Sequence, residues 1–176
     1  MIYSDDHGIT WQRGGVIRPK VNECQVAELA DGKGSLVMNM RSYFGRGCRT
    51  HAFSYDGGSS WSAPEDVPQL EDPVCQASII RYAWPVRKHS GCLLFLNPAS
   101  KHKRNNMTLK ASTDDGRTWR EVQSLYAGPS AYSCMTVLPH GDVVCLYEAG
   151  ERHAYEVIVL QKVDKTEIGR IVKKRL

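Results

Sequence analysis

One eight-residue pattern, S-x-D-x-G-x-[ST]-W, occurs three times in this chain, at residues 4–11, 54–61 and 112–119. Three of the four tryptophans close these copies, so the placement of tryptophan follows the repeat. Asp and Gly at fixed offsets are typical of a tight turn, because the Asp side chain accepts nearby backbone N–H groups and Gly tolerates a positive φ. The tryptophan adds a large apolar surface with one N–H group to satisfy. Each copy therefore predicts a hairpin with a polar tip and an aromatic anchor, and the repetition predicts an array of similar units.

The spacing of the copies predicts the architecture. Trp11 and Trp61 lie 50 positions apart, and Trp61 and Trp119 lie 58 apart, at or slightly above the roughly 40–50 residues of a four-stranded propeller blade. The segments between the copies read as short apolar strands joined by turns, and no long helical periodicity interrupts them. We therefore predict an all-β fold, a partial β-propeller built from four-stranded antiparallel blades.

The length of the chain limits how much of a propeller it can build. A closed ring of such blades needs roughly 200 residues for four blades and 300 or more for six, whereas this chain has 176. We therefore expect a piece of a longer protein, with a partial propeller over residues 1–160 and a basic C-terminal tail over residues 161–176. Because an open propeller exposes unpaired backbone groups, we expect the chain to be poorly stable alone, or to pair with a missing N-terminal half or a second chain.

Charge and cysteine content argue against several classes of function. The net charge is +4, and no stripe of Lys and Arg is interleaved with aromatic residues, so we expect no nucleic-acid partner. The six cysteines form no C-x-x-C and no Cys/His spacing typical of zinc, so we expect no metal site. Most of them lie in apolar strand candidates, which favours reduced structural thiols over disulfides. Such thiols favour a reducing compartment, and nothing else in the sequence indicates where the protein acts.

Polar residues stand at the ends of several strand candidates. Glu23 is at the beginning of one strand, Arg41 at the end of the next, Tyr132 just before another, and Glu148 at the end of a fourth. Strand ends in a propeller face the central channel or its rim, which is where ligands bind. Singly, each residue also fits a structural role, as a solvated turn acid, a surface ion-pair partner or a core aromatic.

Together with the triple repeat, these segments resemble the exo-α-sialidases (neuraminidases), whose Asp box is similar to S-x-D-x-G-x-[ST]-W. The resemblance covers the chain up to about Tyr155 and corresponds to the C-terminal half of the family's catalytic domain, which implies about three blades of a six-bladed propeller. N-E-C-Q-V-A-E at residues 22–28 resembles the segment with the catalytic glutamate, which implies that role for Glu23. G-P-S-A-Y-S at residues 128–133 resembles the nucleophile segment, which implies that role for Tyr132.

Further segments of the resemblance imply substrate-binding residues. N-M-R-S around Arg41 and the segment around Arg104 resemble two members of the family's three-arginine cluster. L-Y-E, which ends at Glu148, resembles the position whose acid orients the first arginine of that cluster. P-V-C-Q-A-S, which contains Gln76, is similar to a segment near the site. The order of these strings between the Asp boxes carries the resemblance more than any one of them does.

The chemistry of sialic acid suits these residue types. Its carboxylate sits on the anomeric carbon, where guanidinium groups can bind it in bidentate fashion. A carboxylate nucleophile would be repelled there and a neutral phenol would not, and sialidases are exceptions among glycosidases in using a tyrosine. A free tyrosine has a pKa near 10 and needs a base beside it, the role implied for Glu23. This route retains configuration and needs no metal or organic cofactor, and its substrates would be sialylated glycoproteins, glycolipids or oligosaccharides.

Two features of the family have no counterpart in this sequence. The first arginine of the cluster lies in a motif like F-R-I-P, which does not occur here. The family's acid/base aspartate lies upstream of the matching segment. The resemblance therefore implies an incomplete site, and we expect no turnover of sialosides by this chain alone.

Two other interpretations stay open at this point. Asp boxes are scaffold turns rather than chemistry, so the chain could be a non-catalytic propeller module that binds a glycan or another protein. It could also be a structural half-propeller that is completed by a second chain. A Tyr132–Glu23 pair facing Arg41 and Arg104 distinguishes the enzymatic interpretation, because neither alternative needs such a pair.

Overall fold

The computed structural model describes residues 1–87 and 90–173. Within these ranges strands dominate, and one helix follows the last of them. In chain order the elements are β1 (Ile2–Tyr3), β2 (Gln12–Arg13), β3 (Val21–Glu28), β4 (Leu36–Ser42), β5 (Cys48–Ser54), β6 (Glu65–Glu71), β7 (Ser78–Ala83), β8 (Cys92–Pro98), β9 (Asn105–Ser112), β10 (Arg120–Val137), β11 (Val143–Ala149), β12 (Val157–Val163) and α1 (Lys165–Lys173). The predicted strand-built fold is confirmed, and the helix is an addition that the sequence pattern did not predict.

Two four-stranded antiparallel blades account for most of the chain. The strands β3, β4, β5 and β6 pair in sequential order, and β7, β8, β9 and the first half of β10 do the same. Near Ser130 the pairing of β10 changes from β9 to β11, and β12 then pairs with β11. One continuous strand therefore belongs to two blades, and the last blade has three strands within the described ranges. The predicted partial propeller of about three antiparallel blades is confirmed.

The hydrophobic core lies between neighbouring blades. Every residue of β8 is buried, because this strand is covered on both faces. Leu94 and Leu96 belong to one apolar cluster, while Leu93 and Phe95 belong to another. Successive side chains of a strand point to opposite faces, so this single strand contributes to the packing on either side of its blade. The ring of Phe95 also meets Trp119 of the third Asp box, with their centroids 5.6 Å apart.

The three Asp boxes share one set of hydrogen bonds. In each copy the serine hydroxyl donates to the aspartate and accepts the glycine N–H, while the aspartate accepts the N–H and hydroxyl of the following Thr or Ser. Gly8, Gly58 and Gly116 have φ of 87°, 89° and 86°, a conformation that favours glycine. Trp119 is 7% exposed and Trp11 is 61% exposed. The predicted polar turn is confirmed in every copy, whereas the aromatic anchor is confirmed for Trp119 and wrong for Trp11.

Asp56 tests how far the second Asp box stabilises the fold. Its carboxylate accepts the N–H of Ser60 at 2.8 Å, the hydroxyl of Ser60 at 2.6 Å and the hydroxyl of Ser54 at 2.8 Å. These hydrogen bonds, those of Ser60 foremost, lower the pKa of Asp56 from 3.8 to about 2. A lowered pKa in the folded state stabilises the fold above the unfolded pKa, and this contribution is lost as the pH falls through the folded pKa. We therefore expect Asp56→Ala to lower the melting temperature at neutral pH. The difference from the wild type should shrink as the pH falls from 3.8 to about 2.

Asp5 provides the matched control for Asp56, because it is an exposed acid. Asp5→Ala removes the same charge and is expected to melt as the wild type does. Thermal denaturation followed by circular dichroism at neutral and acidic pH measures both variants. Equal melting temperatures for the two variants at neutral pH would contradict a stabilising role of the box hydrogen bonds.

The C-terminal segment differs from the expected solvated tail. The expected boundary between the propeller and the tail, after residue 160, falls inside strand β12, which continues to Val163. The helix α1 follows this strand directly. Ile168 of the helix is fully buried and packs in the same apolar cluster as Val163. The helix begins where the Asp164 side chain accepts the N–H of Thr166 at 2.8 Å, as an N-cap aspartate does. The apolar residues of this helix lie among lysines and arginines in the sequence, so the segment looks like a solvated tail. Residues 174–176 of the expected tail lie outside the described residues.

The strand β12 forms an exposed edge of the sheet. Its outer side has no partner strand in the part of the chain that the structure describes. The side chains of Ile158 and Leu160 on this strand are 71% and 68% exposed. Apolar edge strands favour pairing with a further strand. Among the described residues, no helix has the length and apolar character needed to cross a membrane.

The cysteines are unpaired, as predicted. All six are free, and four of them are buried. Burial raises the pKa of Cys75, Cys92 and Cys145 to about 12, which keeps these thiols protonated and unreactive. The reducing compartment that such thiols favour stays a prediction.

Candidate active site

Glu23 lies on a bulge of strand β3. The pairing of β3 with β4 shifts register between Asn22 and Gln25, and Glu23 itself has a φ of 38°. A bulge re-aims the side chain that it carries. A residue other than glycine with positive φ is uncommon, and such residues concentrate at functional sites. The local backbone therefore singles out Glu23 independently of its sequence context.

Tyr132 meets Glu23 across 109 residues of sequence. The pairing of β10 with β11 shifts register between Ser130 and Ser133, so Tyr132 also lies at an irregular point of its strand. Its hydroxyl donates to Glu23 Oε1 at 2.6 Å. The structure thus brings together the two side chains for which the sequence implies the nucleophile and its base.

Arg41 completes a compact polar cluster with this pair. Its Nη1 atom donates to Glu23 Oε2 at 2.5 Å and to the Tyr132 hydroxyl at 3.2 Å. Its guanidinium carbon also lies 4.9 Å from the ring centroid of Tyr43, within the range of a cation–π interaction. The Arg41 side chain is only 13% exposed. Its charge therefore acts on Glu23 and Tyr132 together.

Arg104 approaches Tyr132 from the ring face. Its guanidinium carbon lies 5.5 Å from the Tyr132 ring centroid. Its Nη1 atom donates to the Tyr155 hydroxyl at 2.6 Å, and its Nη2 atom donates to the carbonyl of Val74 at 3.1 Å. Sequence reasoning missed Tyr155, which is 56% exposed in the loop before β12. Nothing in its local sequence distinguishes it from a surface tyrosine, and only the fold brings it to Arg104.

Glu148 and Gln76 hold the backbone around Tyr132. Glu148 Oε2 accepts the N–H of Tyr132 at 3.0 Å. The Gln76 amide accepts the N–H of Ser133 at 2.9 Å and donates to its carbonyl at 3.0 Å. Both side chains also line an open groove of about 340 Å³ beside Tyr132. The resemblance implies that Glu148 orients the first arginine of the cluster, and in this structure its carboxylate holds the strand of Tyr132.

The electrostatics of the cluster lower the pKa of Glu23 and raise the pKa of Tyr132. Partial burial raises the pKa of Glu23, but the hydrogen bonds from Tyr132 and Arg41 and the charges of Arg41 and Arg104 bring it below its usual value. The pKa of Tyr132 is raised, chiefly by its hydrogen bond to Glu23 and also by burial, against the two arginine charges. At neutral pH Glu23 is therefore an ionised acceptor and Tyr132 a protonated donor, the starting state of a nucleophile next to its base.

The titration of Tyr132 tests this electrostatic arrangement. We expect the Tyr132 phenol to ionise above its usual pKa of 10. We expect Glu23→Gln to lower that pKa, because the carboxylate that disfavours a phenolate is gone and the charges of Arg41 and Arg104 act unopposed. Carbon-13 NMR of labelled tyrosine rings, assigned with Tyr132→Phe, measures it. Glu148→Gln is the control, since Glu148 contacts the Tyr132 backbone and not the phenol. An unchanged Tyr132 titration in Glu23→Gln would contradict the arrangement.

Other features of the surface lie away from this cluster. A larger cavity of about 940 Å³ lies between β6 and the third Asp box and contains none of the predicted site residues. Within residues 1–87 and 90–173, no three His, Cys, Asp or Glu side chains come together as the ligands of a metal ion would. The Tyr132–Glu23 cluster is therefore the candidate active site.

The fold and this cluster place the chain among propeller proteins with Asp-box repeats. The family model described as BNR repeat-like domain matches residues 1–145. A sialidase of Micromonospora viridifaciens is 39% identical over an alignment of 153 positions, which covers 85% of this chain and 23% of that relative. Sialidase-3 of Mus musculus is 32% identical over an alignment of 197 positions, which covers 90% of this chain and 47% of that relative.

Solved structures agree with these sequence matches. The Hadza microbial sialidase Hz136 superposes with a TM-score of 0.78 at 35% identity, over 94% of this chain and 32% of that one. The intramolecular trans-sialidase from Ruminococcus gnavus, at 24% identity and a TM-score of 0.75, shares the fold. The chain belongs to the BNR-repeat sialidase family. It spans between about a quarter and a half of the length of the bacterial and mouse sialidases that it matches.

Proposed function

We propose that this chain carries the nucleophile side of a retaining exo-α-sialidase site, which removes terminal sialic acids from glycoconjugates. The hydrogen bond of 2.6 Å from the Tyr132 hydroxyl to Glu23, with Arg41 touching both, is the observation that carries the proposal. The sialidases among the relatives support it at moderate identity. The substrate would be a sialylated glycoprotein, glycolipid or oligosaccharide.

The proposed step forms a covalent bond between the sugar and Tyr132. The Tyr132 oxygen attacks the anomeric carbon, the bond from that carbon to the leaving oxygen breaks, and the phenolic proton passes to Glu23. Arg41 and Arg104 would bind the carboxylate of the sugar, since guanidinium groups match that anion in geometry and stay charged. Water then attacks the anomeric carbon and gives a proton to the acid/base aspartate that the family resemblance implies. The bond from that carbon to the Tyr132 oxygen breaks, and Glu23 returns its proton to that oxygen, so the sugar leaves with retained configuration.

Protonation of the leaving oxygen is assigned by the family resemblance to an aspartate upstream of the matching segment. The sequence also contains no F-R-I-P-like stretch. We therefore expect that this chain by itself does not turn over an ordinary sialoside. A fluorogenic sialoside assay on the purified chain measures this, and clear turnover would contradict the half-site interpretation.

A sialyl fluoride with a second fluorine on the neighbouring ring carbon tests the nucleophile separately from the acid. Fluoride leaves without protonation, and the second fluorine slows hydrolysis of the covalent product. We expect the intact mass of the chain to increase by one fluorosialyl group, located by peptide mapping on Tyr132. The absence of an adduct, or an adduct on another residue, would contradict the proposal.

A binding module completed by a second chain is the second candidate function. The exposed apolar edge of β12, with Ile158 and Leu160, favours it. Such a module would bind sialic acid or a protein without forming an adduct on Tyr132. Light scattering during gel filtration measures the size of the particle in solution, and a monomer at all concentrations argues against a second copy as the partner.

A further inference from the structure

A fully buried guanidinium lies beneath the candidate active site. Arg49 on β5 is 0% exposed, and Asp72, which follows β6, is 1% exposed. Charged side chains are almost never buried so completely unless they are paired, because removing an ion from water is costly. Burial lowers the pKa of Arg49 and raises that of Asp72, in each case against the attraction of the other. The proposed reaction uses neither residue, so it does not explain why this charged pair is buried.

The contacts of Arg49 reach the backbone on which the site is built. Its Nε atom donates to Asn39 Oδ1 at 2.8 Å, and its Nη1 atom donates to the carbonyl of Cys75 at 2.5 Å. Its Nη2 atom donates to the carbonyl of Glu23 at 3.5 Å. Asp72 Oδ1 lies 3.6 Å from Nη1. A single guanidinium thus contacts the bulge of Glu23 and the turn that follows β6.

That turn also supports Arg104. Asp72 Oδ2 accepts the N–H of Cys75 at 3.1 Å, which closes the turn. Between them Val74 has a φ of 59°, a conformation that a β-branched residue rarely adopts. The carbonyl of Val74 accepts Arg104 Nη2 at 3.1 Å. The Arg49–Asp72 pair therefore fixes two strained backbone points, one of which carries Glu23 and the other of which anchors Arg104.

We propose that Arg49, paired with Asp72, is a positioning residue that holds the Glu23 carboxylate against Tyr132 and the Val74 carbonyl under Arg104. The catalytic consequence rests on the proposed sialidase function, whereas the geometric consequence does not. The planar fork of Arg is needed because one side chain must donate in three directions at fixed angles. A lysine would keep the charge and lose this geometry.

The Tyr132 phenol reports the position of Glu23 without any need for activity. Loss of the Arg49 charge alone can only raise the pKa of a nearby phenol, because a cation favours the phenolate. Displacement of Glu23 lowers that pKa, because the hydrogen bond to Glu23 is the main cause of its elevation. The two effects have opposite signs, so the direction of the change separates positioning from simple electrostatics.

The experiment compares Arg49→Met and Arg49→Lys with Lys110→Met. Lys110 is the matched control, since it is a buried cation at 9% exposure whose Nζ atom donates to the Gln69 carbonyl at 2.6 Å. We expect Arg49→Met to lower the Tyr132 pKa and to slow capture of the fluorosialyl fluoride at saturation about 100-fold. Arg49→Lys should lie between Arg49→Met and the wild type. Lys110→Met should leave the Tyr132 titration unchanged.

The outcomes separate the two proposals. A Tyr132 titration in Arg49→Met that is unchanged or shifted upward overturns the positioning role. If the wild type is not labelled but the Tyr132 pKa still falls in Arg49→Met, the sialidase proposal fails and the positioning role stands. Where Arg49→Met does not fold, Arg49→Met/Asp72→Leu removes both charges and leaves no unpaired ion. We then expect the double variant to show the same fall in the Tyr132 pKa, and no fall would overturn the positioning role.

Discussion

Replacing Tyr132 by phenylalanine is expected to abolish covalent capture of the fluorosialyl fluoride, with a rate at least about 1,000-fold below that of the wild type. Phenylalanine keeps the ring that faces Arg104 at 5.5 Å and removes only the oxygen that donates to Glu23. The variant therefore loses the proposed nucleophile while the surrounding packing is preserved. A time course of intact mass measures the rate, and peptide mapping locates any residual adduct.

Two controls make the Tyr132→Phe result specific. Glu23→Gln keeps the shape of the base and removes its ability to take a proton, so labelling should fall about 100- to 10,000-fold, as loss of a general base does. Binding of free sialic acid, followed by NMR titration, should be largely retained in Tyr132→Phe, because in the proposed function the two arginines, and not the phenol, would bind the carboxylate. An adduct that persists in Tyr132→Phe at the wild-type rate would contradict the tyrosine nucleophile. Binding without labelling in the wild type would favour the non-catalytic module.

Local turn chemistry explains why so much of the fold could be predicted. Each Asp box is determined within eight residues, because its serine, aspartate and glycine satisfy one another. The spacing of the boxes then sets the size of a blade. The tryptophans mark the limit of this argument, since Trp119 belongs to an apolar cluster with Val67 and Leu70 of the neighbouring blade, whereas Trp11 is exposed. Whether an anchor is buried depends on the neighbouring blade, which a local pattern cannot describe.

The candidate site was only partly accessible from the sequence. Glu23 and Tyr132 could be named from a family resemblance, but no spacing rule predicts a contact across 109 residues. Arg49 escaped notice because an arginine among polar residues reads as a surface residue, and its partner Asp72 lies on a separate turn. Tyr155 was missed for a different reason, since it does lie at the surface and only the fold brings it to Arg104. Burial is predicted from the hydrophobicity of side chains, and buried charged residues are exceptions to that rule. Such residues are therefore recognised only in the three-dimensional structure.

Removing Asp72 is expected to destabilise the fold far more than removing an acid of an exposed ion pair. Asp72→Ala leaves the Arg49 guanidinium, which is 0% exposed, without its ionic partner. Breaking a buried ion pair from one side costs about 3–5 kcal/mol, and the whole free energy of unfolding of a domain is about 5–15 kcal/mol. Asp72→Ala should therefore lose a large fraction of the free energy of unfolding. Urea denaturation followed by tryptophan fluorescence measures the loss.

The double variant Arg49→Met/Asp72→Leu separates the cost of an unpaired charge from the value of the pair. Apolar replacement of both partners of a buried ion pair is often neutral or stabilising, so the double variant should recover most of the stability that Asp72→Ala loses. The exposed pair of Glu167 and Arg170 gives the contrast, since Glu167→Ala should change the urea midpoint little. If the double variant recovers its stability but not the wild-type titration of Tyr132, the pair is kept for the geometry of the site. If it is as unstable as Asp72→Ala, the unpaired charge is not the cause of the loss.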